Sequence, residues 1–291
     1  MNIMEMGKKE IKLIECPRDA MQGWPHFIPT AQKIAYINEL LKAGFDTIDF
    51  GSFVSPKAIP QMADTAEVIK GLHIDKGGTK LLAIIANLRG ATDAVGFDEI
   101  TYLGFPFSIS ETFQQRNTNS SILASYERVS EVQNLCIKNK KELVVYISMG
   151  FGNPYGDEYN ESIVSHWVEK MTELDIRIIS LADTVGVAKP EQVSSVLQKV
   201  IPAFPGVEIG VHLHSSPHNR LQKLDAALDA GCNRFDAAIK GIGGCPMAGD
   251  DLVGNMDTEA MLHHFESFHL QTGINQEQLM NCSRLALEIF I

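Results

Sequence analysis

Apolar positions follow two alternating patterns along the chain. Short runs rich in β-branched residues recur, and between them apolar residues fall at helical spacing, as at Ile34, Ile37 and Leu41. The runs predict eight strands, at Ile11–Glu15, Thr47–Gly51, Leu81–Ala86, Glu99–Leu103, Leu143–Ser148, Ile178–Ala182, Glu208–His212 and Arg234–Ala238. Because strands and helices alternate, the strands are predicted to be parallel. Eight such units in about 250 residues indicate an α/β fold, a closed (β/α)8 TIM barrel.

A short internal repeat supports the barrel. Residues 43–49 resemble residues 230–236, and each segment predicts a helix end, a glycine in the left-handed conformation and a strand. An open doubly wound sheet is the alternative, but no Gly-x-Gly-x-x-Gly motif follows the first strand, and polar residues follow many strands. We predict one barrel domain over residues 1–291, with about residues 257–291 forming C-terminal helices that pack on it.

Composition narrows the class of protein. The 291 residues are 45% hydrophobic and carry a formal net charge of -11, without a basic run, so we expect no nucleic-acid partner. No apolar run approaches the roughly 20 residues that span a bilayer, and residues 1–10 lack the apolar region of a signal peptide. The odd number of scattered cysteines favours reduced thiols in a cytoplasmic protein. Four cysteines are predicted to lie in or near the core: Cys16, Cys136, Cys232 and Cys282.

Candidate chemistry follows the strands. Barrel enzymes build their sites at the C-terminal ends of strands, where His212 and His214 would project from one face of the seventh. With Asp19 after the first strand, they would supply two nitrogens and one oxygen to Mg²⁺ or Mn²⁺, and less readily to Zn²⁺. The alternatives are two polar side chains at a sheet end and, for Asp19, a helix N-cap or a loop carboxylate that pairs with Arg18.

Other polar side chains each have more than one interpretation. Arg18 could stabilise the negative charge of an enolate, or form a structural ion pair. Asp49 and Asp183 could orient ligands, act as acid or base, or cap loops. Cys245, in Gly243-Gly244-Cys245-Pro246, could be a general acid on a mobile loop or an exposed thiol in a turn.

Several motifs together resemble one enzyme family. The run Ser52–Asp64 is very similar to the segment after the second strand of the 3-hydroxy-3-methylglutaryl-CoA lyases. Further motifs fall in the family's order: Pro17-Arg18-Asp19 with Gln22, Asn87-Leu88-Arg89-Gly90, Asp183-Thr184-Val185-Gly186, His212-x-His214, Gly243-Gly244-Cys245-Pro246, and Gly254-Asn255 with Thr258-Glu259. The similarity therefore extends over nearly the whole chain.

The resemblance implies an activity and a set of residue roles. Such enzymes cleave 3-hydroxy-3-methylglutaryl-CoA to acetyl-CoA and acetoacetate with a divalent cation. By that resemblance Arg18 stabilises the enolate, Asp183 handles the C3 hydroxyl proton and Cys245 is the acid. The implied metal ligands are Asp19, His212, His214 and Asn255, and the implied substrate-binding residues are Arg18, Gln22, Asp49, Ser55 and Lys57. We also expect an acyl-CoA substrate and a homodimer, and we assign no role to Glu15.

Some positions depart from the family pattern. Asp49 stands where the family has Glu, and Ser215-Ser216 follows the second histidine in place of an acidic residue and Thr. Residues 250–253 are Asp-Asp-Leu-Val where the family has small residues. Two alternatives follow: a related aldolase or Claisen-type enzyme for another 3-hydroxyacyl-CoA or oxoacid, and a barrel that binds a metal or acyl-CoA without turnover.

Overall fold

The protein forms a closed barrel of eight parallel strands. The structure, a computed structural model, describes residues 10–75, 77–244 and 253–291. The strands are β1 (Lys12–Glu15), β2 (Thr47–Ser52), β3 (Lys80–Ile84), β4 (Ile100–Ser108), β5 (Glu142–Ser148), β6 (Ile178–Asp183), β7 (Glu208–Ser215) and β8 (Arg234–Ala237). Consecutive strands pair in parallel, and pairing of β1 with β8 closes the barrel. The predicted TIM barrel is therefore confirmed.

Helices surround the strands, as the helical spacing predicts. They are α1 (Pro17–Gln22), α2 (Thr30–Leu40), α3 (Thr65–Lys70), α4 (Leu88–Ala94), α5 (Glu111–Thr118), α6 (Ile122–Lys138), α7 (Glu161–Glu173), α8 (Pro190–Ala203), α9 (Arg220–Asp229), α10 (Thr258–Ser267) and α11 (Gln276–Ile289). The last helix packs against α2. Among the helices of the described ranges, none is long and apolar enough to cross a membrane.

Two strands extend at least three residues beyond the ends that their patterns predict. The strand β4 continues through Pro106, a residue usually confined to the edges of sheets, and Pro106 stands beside Tyr146 of β5. The strand β7 continues to Ser215 because a two-residue strand, β9 (Gly254–Asn255), pairs with its end in antiparallel fashion. Both extensions depend on pairing with another part of the chain, which local patterns do not reveal.

The internal repeat marks two equivalent turns. Gly44 and Gly231 have φ angles of 90° and 89°, in the left-handed region where a side chain is strained. A Cβ atom on Gly44 would also lie 2.7 Å from the carbonyl oxygen of Gly273. The predicted use of one helix-to-strand turn at two places is confirmed.

Apolar residues form the core, and an ionic network lies at the N-terminal ends of the strands. Alternate residues of β3 to β6 form a cluster inside the barrel, while the others pack outward against the helices. Arg234 and Lys12, which begin β8 and β1, both pair with Glu208 at the start of β7. In this fold the N-terminal ends of the strands typically contribute to stability, and the C-terminal ends carry the functional site. The four cysteines predicted in or near the core are buried.

Candidate functional site

The two histidines of β7 lie together at the C-terminal end of the barrel. Their Nε2 atoms are 3.2 Å apart. The Nδ1 atom of His212 lies 3.1 Å from Oδ2 of Asp236, and that of His214 lies 3.3 Å from the carbonyl oxygen of Val253. An acceptor at each Nδ1 favours the tautomer with its proton there, which leaves both Nε2 lone pairs available to one ligand.

Oxygen donors complete this cluster. Asp19 lies in the first turn of α1, and its carboxylate is within 4.8 Å of the ligating atoms of both histidines. Asn255 of β9 stands opposite His214, and its Nδ2 donates to Oδ2 of Asp19 and to the carbonyl oxygen of Ile242, each at 2.9 Å. Its amide oxygen accepts no hydrogen bond from the described residues. Two imidazoles and a carboxylate suit a divalent cation. Asn255 presents its Nδ2 to Asp19, so ligation by its amide oxygen would require the side-chain amide to turn over.

The buried guanidinium group of Arg18 joins the cluster to β2. Its Nη1 donates to Asp19 at 2.8 Å and to Gln22 at 2.9 Å, and Nε donates to Oδ2 of Asp49 at 3.0 Å. Nη2 also donates to Asp49. A guanidinium group has five N–H donors, so within the described residues one N–H of Nη2 is left without an acceptor. Asp19 is thus paired with Arg18, but it is a residue inside the helix and not its N-cap.

The carboxyl groups of Asp19 and Asp49 have different pKa values, because burial and nearby charges act on them to different extents. Burial would raise the pKa of Asp19, but Arg18 and the two histidines lower it to about 2. Burial raises the pKa of Asp49 to about 6, although Arg18 opposes this. Asp19 is consequently a permanent anion near neutral pH, as a ligand must be. Burial and the neighbouring His212 lower the pKa of His214 to about 4, which favours the neutral imidazole that binds metals.

Asp183 ends β6, but its hydrogen bonds are made to residues outside the histidine cluster. Its Oδ2 accepts from the ammonium group of Lys223 at 2.6 Å, and its Oδ1 accepts from the backbone N–H of Ala188 at 3.0 Å. Lys223 is fully buried on α9 and also donates to the carbonyl oxygen of His214 at 2.8 Å. Burial raises the pKa of Asp183, and Lys223 opposes this shift. The pair ties β6 to the end of β7.

The remaining predicted site residues lie in loops. Ser55 follows β2, and its hydroxyl oxygen accepts from the backbone of Lys57, whose side chain is exposed. Among the described residues, neither makes a hydrogen bond to the histidine cluster. Cys245 lies outside the described residues, but Gly243 before it has a φ angle of 95°. A Cβ atom there would lie 2.8 Å from both Nδ2 of Asn255 and the carbonyl oxygen of Asp19, so the chain passes closely over the cluster.

Asp236 and Lys223 were not among the predicted site residues. The internal repeat contains a signal for Asp236, because it aligns this residue with Asp49, and both point into the mouth of the barrel. Lys223 gives no comparable signal, since a lysine near the start of a helix usually faces solvent.

Comparisons with known proteins agree with this geometry. A family model described as HMGL-like matches residues 11–286. The chain is 34% identical over 270 residues to hydroxymethylglutaryl-CoA lyase YngG of Bacillus subtilis (strain 168), covering 92% of this chain and 89% of that protein. It is 33% identical over 280 residues to the mitochondrial hydroxymethylglutaryl-CoA lyase of Macaca fascicularis, covering 95% and 85% respectively.

Solved structures have the same architecture. The crystal structure of the Bacillus subtilis HMG-CoA lyase matches with a TM-score of 0.90 at 33% identity, over 96% of this chain and 93% of that one. An HMG-CoA lyase from Acinetobacter baumannii, in complex with coenzyme A and 3-methylmalate, matches with a TM-score of 0.89 at 32% identity, over 97% and 91%. The carboxyl transferase domain of Rhizobium etli pyruvate carboxylase shares the fold, with a TM-score of 0.72 at 13% identity.

Proposed function

The chain belongs to the HMGL-like family, and from this premise we propose that it is a divalent-metal-dependent lyase that cleaves 3-hydroxy-3-methylglutaryl-CoA to acetyl-CoA and acetoacetate. The observation that carries the proposal is the convergence of Asp19, His212 and His214 beside a buried arginine at the mouth of the barrel. An acyl-CoA substrate is supported by the coenzyme A bound to the Acinetobacter baumannii relative.

The proposed metal ligands are Asp19, His212, His214 and Asn255. When bound there, a divalent cation would polarise the oxygen atoms of the substrate and favour loss of the hydroxyl proton. We favour Mg²⁺ or Mn²⁺ over Zn²⁺, because the donor set mixes oxygen with nitrogen and contains no thiolate. Asp19 contributes a fixed negative charge, since Arg18 and the histidines keep its pKa at about 2.

Arg18 is proposed to stabilise the enolate of the departing thioester. Cleavage breaks the bond between C2 and C3, and its electron pair moves to C2 and the thioester oxygen. The free N–H of Nη2 and the buried positive charge would act on that oxygen. Asp19, Gln22 and Asp49 hold the guanidinium group in place, so little reorganisation is needed during the reaction.

Two proton transfers complete the reaction. Asp183 is proposed to accept the C3 hydroxyl proton as the C3–O bond becomes the ketone of acetoacetate. Its raised pKa makes the carboxylate a stronger base, but it must exchange a hydrogen bond with Lys223 to act. Cys245 is proposed to donate a proton to C2 and so release acetyl-CoA. Two further predictions are untested. They are the homodimeric assembly and the substrate contacts made by Gln22, Asp49, Ser55 and Lys57.

A coupled assay tests the proposed activity directly. Purified protein with Mg²⁺ or Mn²⁺ is offered a small panel of 3-hydroxyacyl-CoA thioesters, and acetoacetate and acetyl-CoA are measured separately. We expect equal amounts of both products from 3-hydroxy-3-methylglutaryl-CoA and the highest kcat/KM for that thioester. Cleavage of another thioester in preference would reject the substrate but keep the reaction, whereas no cleavage of any would reject the lyase proposal.

A further inference from the structure

We propose that Asp236 is a positioning residue of the metal centre, which holds His212 with its Nε2 atom directed at the position shared with His214 and Asp19. This inference rests on the metal site proposed above. It concerns a residue that would touch neither the cation nor the substrate and would act only through His212.

The hydrogen bonds of Asp236 point to this role. Its side chain lies on β8, almost completely buried, and Oδ2 is 3.1 Å from Nδ1 of His212. The other oxygen, Oδ1, has no hydrogen-bond partner among the described residues. A buried carboxylate without full pairing costs free energy, so Asp236 is a poor structural choice for a barrel interior. The one hydrogen bond that it makes within the described ranges serves a histidine of the site.

Neighbouring side chains pack against His212 and place a positive charge near Asp236. The ring of Tyr146 packs edge-on against that of His212, with the ring centroids 5.9 Å apart, so the imidazole is held from its side as well as from Nδ1. Arg234 precedes Asp236 by two residues and therefore projects from the same face of β8. Its Nη1 donates to Glu208 at 3.0 Å, and the guanidinium group brings positive charge into the same interior.

The chemical need is the choice of tautomer. A neutral imidazole carries its proton on one nitrogen, and only an unprotonated Nε2 can bind a cation at the shared position. The carboxylate of Asp236 can accept a proton at Nδ1 but cannot donate one when ionised, so it selects the ligating tautomer. An amide of the same shape could donate to Nδ1 and move the proton to Nε2, as happens when a carboxylate beside a catalytic histidine is replaced by an amide.

Cation binding by the variant Asp236→Asn tests the inference without reference to catalysis. Mn²⁺ is titrated into metal-free protein, and the free ion is followed by electron paramagnetic resonance. Loss of a carboxylate behind a metal-binding histidine usually weakens metal binding by about 10- to 100-fold, and we expect a Kd raised by that factor. The matched control is Asp225→Asn, because Asp225 holds Nε2 of His264 at 2.6 Å outside the barrel, and we expect an unchanged Kd.

The outcomes separate this inference from the proposed function. A variant Kd within about threefold of wild type would overturn the role of Asp236 and leave the metal site intact, since it is well below the usual loss. No binding of Mn²⁺ by the wild type would reject the metal site and this inference together.

A second measurement does not depend on the folding of a variant. Nitrogen-15 spectra of Mg²⁺-loaded wild type should show the His212 proton on Nδ1. A proton on Nε2 would refute the proposal.

Discussion

Replacement of Arg18 by Gln removes the cation that lies between two buried carboxylates. Within the described residues the native side chain commits four of its five N–H donors, two to Asp49 and one each to Asp19 and Gln22, and the fifth is the donor proposed for the substrate. The variant therefore loses the charged donor that is proposed to act on the enolate oxygen. It also leaves Asp49 without its ionic partner, and the pKa of Asp49, about 6 in the native protein, should rise further.

The size of the effect follows from that single donor. Removal of one preorganised donor from an oxyanion costs about 10²–10³ in kcat, or about 2.7–4 kcal/mol, and we expect this range for Arg18→Gln. Metal binding should change little, because both imidazoles and the carboxylate of Asp19 remain. Arg18→Lys keeps the charge but loses the planar pair of N–H donors that binds Asp49. Its kcat should therefore lie between those of wild type and Arg18→Gln.

Steady-state kinetics at saturating Mn²⁺ and a separate Mn²⁺ titration measure the two effects independently. The surface variant Arg284→Gln, which loses only a solvent-exposed pair with Glu288, is the matched control and should match wild type in both. If the variant has the kcat of wild type at saturating Mn²⁺ and only a raised Kd for Mn²⁺, Arg18 acts by supporting Asp19, and the role in enolate stabilisation is wrong.

Three further results are expected. Excess chelator should abolish cleavage, and added Mg²⁺ or Mn²⁺ should restore it; full activity in chelator would exclude a metal-dependent reaction. Cys245→Ser should lower kcat by about 10²–10⁴ because a hydroxyl is a far weaker acid than a thiol, while its melting temperature stays near that of wild type; unchanged kcat would place the acid elsewhere. Burial raises the pKa of Glu15 from 4.5 to about 8, so the stability from its bound proton is present below pH 4.5 and is lost as pH rises to about 8. The free energy of unfolding of wild type, from melting curves at several pH values, should fall relative to that of Glu15→Gln between pH 4.5 and about 8, by at most about 1.4 kcal/mol per pH unit. Parallel pH profiles of the two proteins would contradict the raised pKa of Glu15.

The sequence predicts the barrel well because buried parallel strands are nearly continuous apolar runs. All eight predicted strands are present, and the runs locate them although their ends differ. The pairing of β9 with β7 could not be predicted, since two residues have no periodicity. It nevertheless decides the geometry of the site, because it sets Asn255 opposite His214.

The candidate site was only partly accessible from the sequence. The spacing of His212 and His214 predicts a shared face, because side chains of a strand alternate, and the structure brings them together with Asp19. The ion pair of Asp183 with Lys223 joins residues 40 positions apart, so a local sequence pattern could not predict it. Glu15 received no role from the sequence, yet it accepts hydrogen bonds from the backbone of Ile239 and the hydroxyl of Thr258. Such contacts depend on how distant elements pack.

The antiparallel pair of β7 and β9 also has a consequence for substitutions on either side of the segment between residues 244 and 253. Its two ends are fastened to the site, since Asn255 donates to the carbonyl oxygen of Ile242 and pairs with the strand that carries His214. A side chain at Gly243 would disturb these ends, since its Cβ atom would lie 2.8 Å from Nδ2 of Asn255. Loss of the Asn255 amide would remove its hydrogen bonds to Asp19 and Ile242. The backbone pairing that aligns β9 with β7 therefore also aligns Asn255 with His214, and a one-residue slip in its register would turn the side chain of Asn255 to the other face of the strand.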